Sequence, residues 1–130
     1  NRLLDAEGPI LWVTGSHCQH PMCANGRIEQ WVAPLCHGRI DLKALLLELG
    51  RRQVNEVLFE AGATLLGSLI EGRLVDQGVL YYAPKLLGQT ARSLYAIAPT
   101  RLADVPEISI QSIREVGGDF RLDWTLGTRA

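Results

Sequence analysis

The stretch Val54–Ile70 sets what the rest of this chain can be. Val54, Val57, Leu58 and Phe59 form a short apolar run of strand length, rich in residues that suit a pleated surface. Glu60 follows at the end of that run, and Gly62 supplies a turn. From Ala63 the period changes, with Leu65, Leu66, Leu69, Ile70 and Leu74 at helical spacing. A strand that turns at glycine into a helix leaves backbone N–H groups without intrahelical partners. Those donors and the helix dipole both favour an anion. The pattern is not a fingerprint by itself: Gly62 and Gly67 do not make G-x-G-x-x-G, and no Walker lysine follows. A plain structural turn has the same appearance.

The flanking segments read more simply. Ile10–Thr14 is an apolar run between Gly8-Pro9 and Gly15-Ser16, and it predicts a strand. Arg27–Ala33 predicts a short strand through Ile28, Trp31 and Val32, stopped by Pro34. Asp41 is placed as an N-cap, and Leu42, Leu45, Leu46 and Leu49 then recur at i, i+3, i+4 and i+7, with Gly50 placed to close the helix. Gly78–Ala83 predicts a strand ended by Pro84. Lys85–Arg101 predicts loop with one helical turn near Thr90–Leu94. The C-terminus predicts a β-hairpin: Ile108 and Ile110 alternate, Gly117-Gly118 turn, and Phe120, Leu122, Trp124 and Leu126 alternate again. Tyr81 and Tyr82 point to opposite faces, which places one in the core, and Trp12, Trp31 and Trp124 read as packing residues. The order gives αβ alternation followed by an antiparallel pair, so a mixed sheet flanked by helices is expected.

Totals narrow the function classes. A length of 130 residues with 47% hydrophobic content predicts one compact domain with a core. The net charge of −1 with interspersed signs offers no basic field for nucleic acid. No apolar run approaches membrane-spanning length, and no signal-peptide layout is present. Three cysteines, an odd count, suit a reducing cytoplasm. His17, Cys18, His20, Cys23, Cys36 and His37 are zinc-type ligands, but there is no C-x-x-C and Cys36-His37 are adjacent. No metal site is expected from them. The chain starts at Asn1 without methionine, directly before a strand, and reads as a piece of something longer.

Five blocks in order carry a family resemblance: Val57–Leu65, Gly72–Asp76, Leu80–Gly88, Leu102–Asp104 and Val116–Leu122, within Ile40–Leu126. They resemble the C-terminal reductase domain of the bifunctional riboflavin-biosynthesis deaminase–reductase. The resemblance implies a dihydrofolate-reductase-like α/β fold over 1–130, lacking its N-terminal strands. It implies an NADPH-dependent 5-amino-6-(5-phosphoribosylamino)uracil reductase that turns the ribosyl group into ribityl. It places the dinucleotide phosphates on Gly62, Ala63, Thr64, Leu65, Leu66, Gly67 and Ser68, and substrate on Glu60. Related reductases often have Gly-Gly at this turn, whereas Ala61-Gly62 keeps the second only. The family's catalytic zinc belongs to its deaminase domain, whose His-x-Glu and Pro-Cys-x-x-Cys motifs are absent here.

By the same resemblance, the first reductase strand precedes Asn1 and lies between the strands at Val54–Phe59 and Val79–Ala83. It carries nicotinamide and substrate contacts, so no catalytic proton donor is assigned within this chain. An isolated chain is expected to borrow a strand from a neighbouring copy or repack its sheet, and to turn over little by itself. The family implies a homodimer, and a non-catalytic dimerisation module of the same fold is the alternative reading.

Overall fold

The computed structural model describes residues 8–17, 28–88, 90–97, 101 and 104–127. Cys18, His20 and Cys23 of the histidine–cysteine segment lie outside the described residues, as do Arg27 of the second strand and Leu102-Ala103 of the fourth block. The chain divides into two compact units, Asn1–Glu56 and Val57–Ala130.

In the first unit, β1 (Ile10–Thr14) and β2 (Ile28–Val32) run parallel, Ile10 opposite Ile28 and Thr14 opposite Val32. Gln30 Nε2 donates to Thr14 Oγ1 at 2.9 Å across the pair. A small hairpin follows that was not anticipated, β3 (Leu35–Cys36) against β4 (Arg39–Ile40). His37 and Gly38 both have positive φ, 50° and 75°, the geometry of a two-residue hairpin turn. The helix α1 (Leu42–Arg51) is capped by Asp41, whose carboxylate accepts from the Ala44 amide at 3.0 Å.

Gly50 does not close α1. The helix runs through it to Arg51, and the left-handed residue is Gln53 at φ 65°. Arg52 is the C-cap of α1, and its guanidinium donates to Glu48 at 2.9 Å and with two nitrogens to Glu29 on β2 at 2.7 and 2.8 Å. The hydrogen bonds from Arg52 hold the Glu29 carboxyl below its usual range, and the carboxylates raise Arg52 in turn.

The predicted strand at Val54–Phe59 is not a strand here. Residues 54–62 form no ladder, and Leu58 is 84% exposed. An extended apolar run becomes a strand only when a neighbour accepts its backbone groups, and no described segment does so. Glu60 accordingly follows a connecting stretch rather than a strand end.

The second unit begins with α2 (Ala63–Glu71), on which Gly67, Leu69 and Ile70 are buried. Its sheet has the order β5-β7-β6, all antiparallel: β5 (Gln77–Tyr82), β6 (Ile108–Val116) and β7 (Asp119–Leu126). Gly117 and Gly118, at φ 61° and 89°, make the predicted turn. Thr90–Leu94 contains a single turn (Ala91 amide to Gly88 carbonyl, 3.0 Å) and no helix. Gln111 is an extra residue between the pairs Ile110–Trp124 and Ser112–Asp123. That bulge returns Ile113 to the face of Ile108 and Ile110, where it meets Leu122. Phe120, Leu122, Trp124 and Leu126 share this apolar face, and Arg121, Asp123 and Thr125 occupy the other.

Tyr81 and Tyr82 do lie on opposite faces, yet both are exposed, so neither enters a core. The core itself is smaller than the composition suggests: Ala33, Leu69 and Ile70 are the buried hydrophobic residues among those described. No helix among the described residues is long and apolar enough to cross a membrane.

Candidate functional site: the N-terminus of the second helix

Gly62 is the N-cap of α2, with φ −72° and ψ 169°, and no side chain caps the helix. The first ladder bond runs from the Leu66 amide to the Gly62 carbonyl at 3.0 Å. Among the described residues, the amides of Ala63, Thr64 and Leu65 have no acceptor. No acidic residue lies in the first turn. Space beside Gly62 is open, since a Cβ built there meets nothing within 4 Å. An uncapped turn of this kind offers aligned donors and the positive end of the helix dipole to an anion.

The seven residues expected to hold phosphate separate into two groups. Gly62, Ala63, Thr64 and Leu65 form the open end, with Gly62, Thr64 and Leu65 exposed. Leu66, Gly67 and Ser68 lie a turn further on. Gly67 is buried against the backbone of Ala96, and the Ser68 hydroxyl donates to the Thr64 carbonyl at 3.1 Å. Glu60 is exposed, two residues before the N-cap.

Sequence reasoning missed the contribution of the segment before Ala98. The Ala96 amide donates to the Ala63 carbonyl at 2.9 Å, placing Ala96 against the first turn of α2. The signal available was Gly67 itself, a glycine inside a helix at i+4 from Ala63. At the other end, Gly72 is the C-cap and Arg73, at φ 52°, donates through Nη1 to the Gly127 carbonyl at 3.0 Å. Gly127 in turn donates to Glu107 at 2.8 Å, so the helix terminus is tied to both outer ends of the β6–β7 hairpin.

The remaining polar cluster lies on the sheet. Asp123 accepts from Ser112 Oγ at 2.6 Å and from Arg121 Nε and Nη2 at 2.9 and 2.6 Å. The Ser112 bond first, then Arg121, holds the Asp123 carboxyl below its usual range. Arg121 also stands over the Tyr81 ring, 5.9 Å from its centroid. Cys36 is an exposed free cysteine in the β3–β4 hairpin beside His37, and no group of three metal-type side chains gathers among the described residues.

Among the described residues, two helices with one parallel and two antiparallel sheets give the chain a mixed α/β architecture. Residues 2–122 match the RibD C-terminal domain, and the chain belongs to that family. It is 47% identical over 85 residues to the riboflavin biosynthesis protein RibD of Haemophilus influenzae, covering 65% of this chain and 23% of that protein. It is 35% identical over 85 residues to the 5-amino-6-(5-phosphoribosylamino)uracil reductase of Buchnera aphidicola, covering 65% of this chain and 41% of that protein. Its fold is similar to that of Acinetobacter baumannii RibD (form 2), with a TM-score of 0.76 at 26% identity, covering 90% of this chain and 31% of that one. The chain thus spans well under half the length of these relatives. The mixed α/β fold inferred from the element order agrees with this neighbour.

Proposed function

We propose that this chain is the dinucleotide-binding part of an NADPH-dependent 5-amino-6-(5-phosphoribosylamino)uracil reductase of riboflavin biosynthesis. The observation that carries the reading is the uncapped N-terminus of α2, with the Ala63, Thr64 and Leu65 amides open, in a chain of the RibD C-terminal family. The residues present fit a diphosphate: three aligned donors, an exposed threonine hydroxyl, an N-cap without a Cβ, and no first-turn carboxylate to repel it.

When bound, NADPH supplies the hydride that reduces the ribosyl carbonyl to the ribityl chain. The chain's own work is to bind and orient. The amides of Ala63, Thr64 and Leu65 hold the diphosphate, with Gly62 allowing close backbone approach and Thr64 adding a hydroxyl donor. Leu66, Gly67 and Ser68 support that turn from within the helix. Glu60, an acceptor two residues ahead, takes hydrogen bonds from substrate hydroxyls or ring N–H groups. The protein belongs in the cytoplasm, where NADPH is available.

The test is turnover by the full-length protein carrying this chain, given NADPH and the phosphoribosylaminouracil. Substrate-dependent loss of NADPH absorbance is expected. Tight NADPH binding without any substrate reduction would contradict the assignment. A second reading, a homodimerisation module, is favoured by one observation: β6 is a nine-residue outer strand bearing exposed Ile108, Ile110 and Ile113. Stable dimers in a protein that ignores NADPH would favour that reading over the first.

A further inference from the structure

The reading of α2 as a nucleotide site raises a physical difficulty that the structure itself resolves. A glycine N-cap makes no side-chain hydrogen bond to the first turn, so any added order of that turn must come from another contact. A capping carboxylate or hydroxyl would order the turn, but it would occupy the same amides that an anion needs. This chain uses neither Asp, Asn, Ser nor Thr at the N-cap; Gly62 stands there.

The first turn is tied through an acceptor instead. The Ala63 carbonyl has two lone pairs, one used by the helical ladder and one by the Ala96 amide at 2.9 Å. That bond forms because residue 67 has no side chain. A Cβ at Gly67 would stand 2.6 Å from the Ala96 oxygen, 3.0 Å from its carbonyl carbon and 3.2 Å from its nitrogen. All three are backbone atoms, so no side-chain rotation can relieve the contact, and the crossing segment would have to move. Ala63 and Gly67 are four residues apart and share one helix face, so a single segment reaches both.

We propose that Ala96 braces the nucleotide-facing end of α2, and that Gly67 governs dinucleotide affinity by seating Ala96 rather than by touching the ligand. The brace fixes the turn through a carbonyl and leaves the first-turn N–H groups without an acceptor among the described residues. Gly67 is therefore a positioning residue. This inference rests on the proposed function, because it is NADPH affinity that the brace controls.

The experiment compares wild type, Gly67→Ala and Ala96→Pro in the full-length protein. Ala96→Pro removes the donated N–H without adding bulk at residue 67, and it serves if Gly67→Ala does not fold. Three quantities are read: KM for NADPH, KM for the phosphoribosylaminouracil with kcat at saturating NADPH, and hydrogen exchange at the Thr64 and Leu65 amides. Either variant is expected to raise the NADPH KM about tenfold or more and to speed exchange at those amides, with kcat and substrate KM within about twofold of wild type. Equal NADPH KM values in wild type and both variants would overturn the brace while leaving the proposed function standing. A parallel collapse of kcat and both KM values would also overturn it, since that pattern marks general structural damage. A wild type that does not bind NADPH would overturn the proposed function, and the brace with it.

Discussion

Trp124 on β7 lies flat across Gly78, its cross-strand partner on β5, so that the indole ring occupies the space where a side chain at residue 78 would begin. The pair explains how an antiparallel strand tolerates an interior glycine: the ring covers backbone that would otherwise be open to water. Glycine in a strand ordinarily costs stability relative to alanine, and here the sign reverses. Gly78→Ala drives its methyl into a rigid ring with no flexible tip to give way. We expect a loss of about 1–3 kcal/mol in thermal or denaturant unfolding, accompanied by a change in tryptophan fluorescence. A neutral or stabilising Gly78→Ala would show that the ring does not sit there.

The ends of the two helices make a second prediction. Gln53 and Arg73 both adopt left-handed backbone, at φ 65° and 52°, where glycine is the unstrained residue. Gln53→Gly should stabilise the chain by up to about 1 kcal/mol, because the relieved strain exceeds the added freedom of the unfolded chain. Arg73→Gly should gain less or lose, because it also deletes the donor to the Gly127 carbonyl. Side-by-side melting of the two variants checks the order.

Acid should act through Asp123. Its carboxyl is held low by Ser112 first and Arg121 second, so the folded chain takes up that proton at lower pH than the unfolded chain does. The stabilisation is then present above the unfolded value near pH ~3.9 and is lost as pH falls through the lower folded value. Asp123→Asn should remove this dependence. Between about pH 5 and pH 2 the stability of wild type should fall more steeply than that of the variant. Parallel curves would mean that the Ser112–Asp123–Arg121 cluster adds nothing.

Local signals were legible and partner-dependent ones were not. The β6–β7 hairpin could be read because Gly117-Gly118 and the alternation Phe120–Leu126 are local. The odd spacing from Ile110 to Ile113 was the visible trace of the Gln111 bulge, and it is understood only once Ser112 is seen opposite Asp123. The His37-Gly38 hairpin was written in a two-residue turn that asparagine or aspartate more often begins. At Val54–Phe59 the residues suit a strand, but a strand is a property of two segments, and no second segment among the described residues pairs with it. Gly50 looked like a helix stop by residue type, whereas α1 runs on to Arg51 and the left-handed position falls at Gln53. At the candidate site, the turn at Gly62 and the start of the helix after it were correctly placed, but the helix ends at Glu71, with Gly72 as its C-cap, so Leu74 lies beyond it despite its helical spacing. The approach of Ala96 was not, because a contact between residues 33 positions apart leaves no periodic mark.

The central claim, that the open first turn of α2 holds the dinucleotide's phosphates, is tested most directly by Gly62→Asp. The open space beside Gly62 admits the side chain, and an N-cap carboxylate should occupy the free amides and suit the helix dipole, leaving stability unchanged or raised by about 0.3–1 kcal/mol. The measurement is NADPH affinity by tryptophan fluorescence in the full-length protein, with melting temperature recorded alongside. The account predicts that NADPH binding is lost while the melting temperature holds or rises. Binding as tight as wild type in a folded Gly62→Asp variant would contradict it.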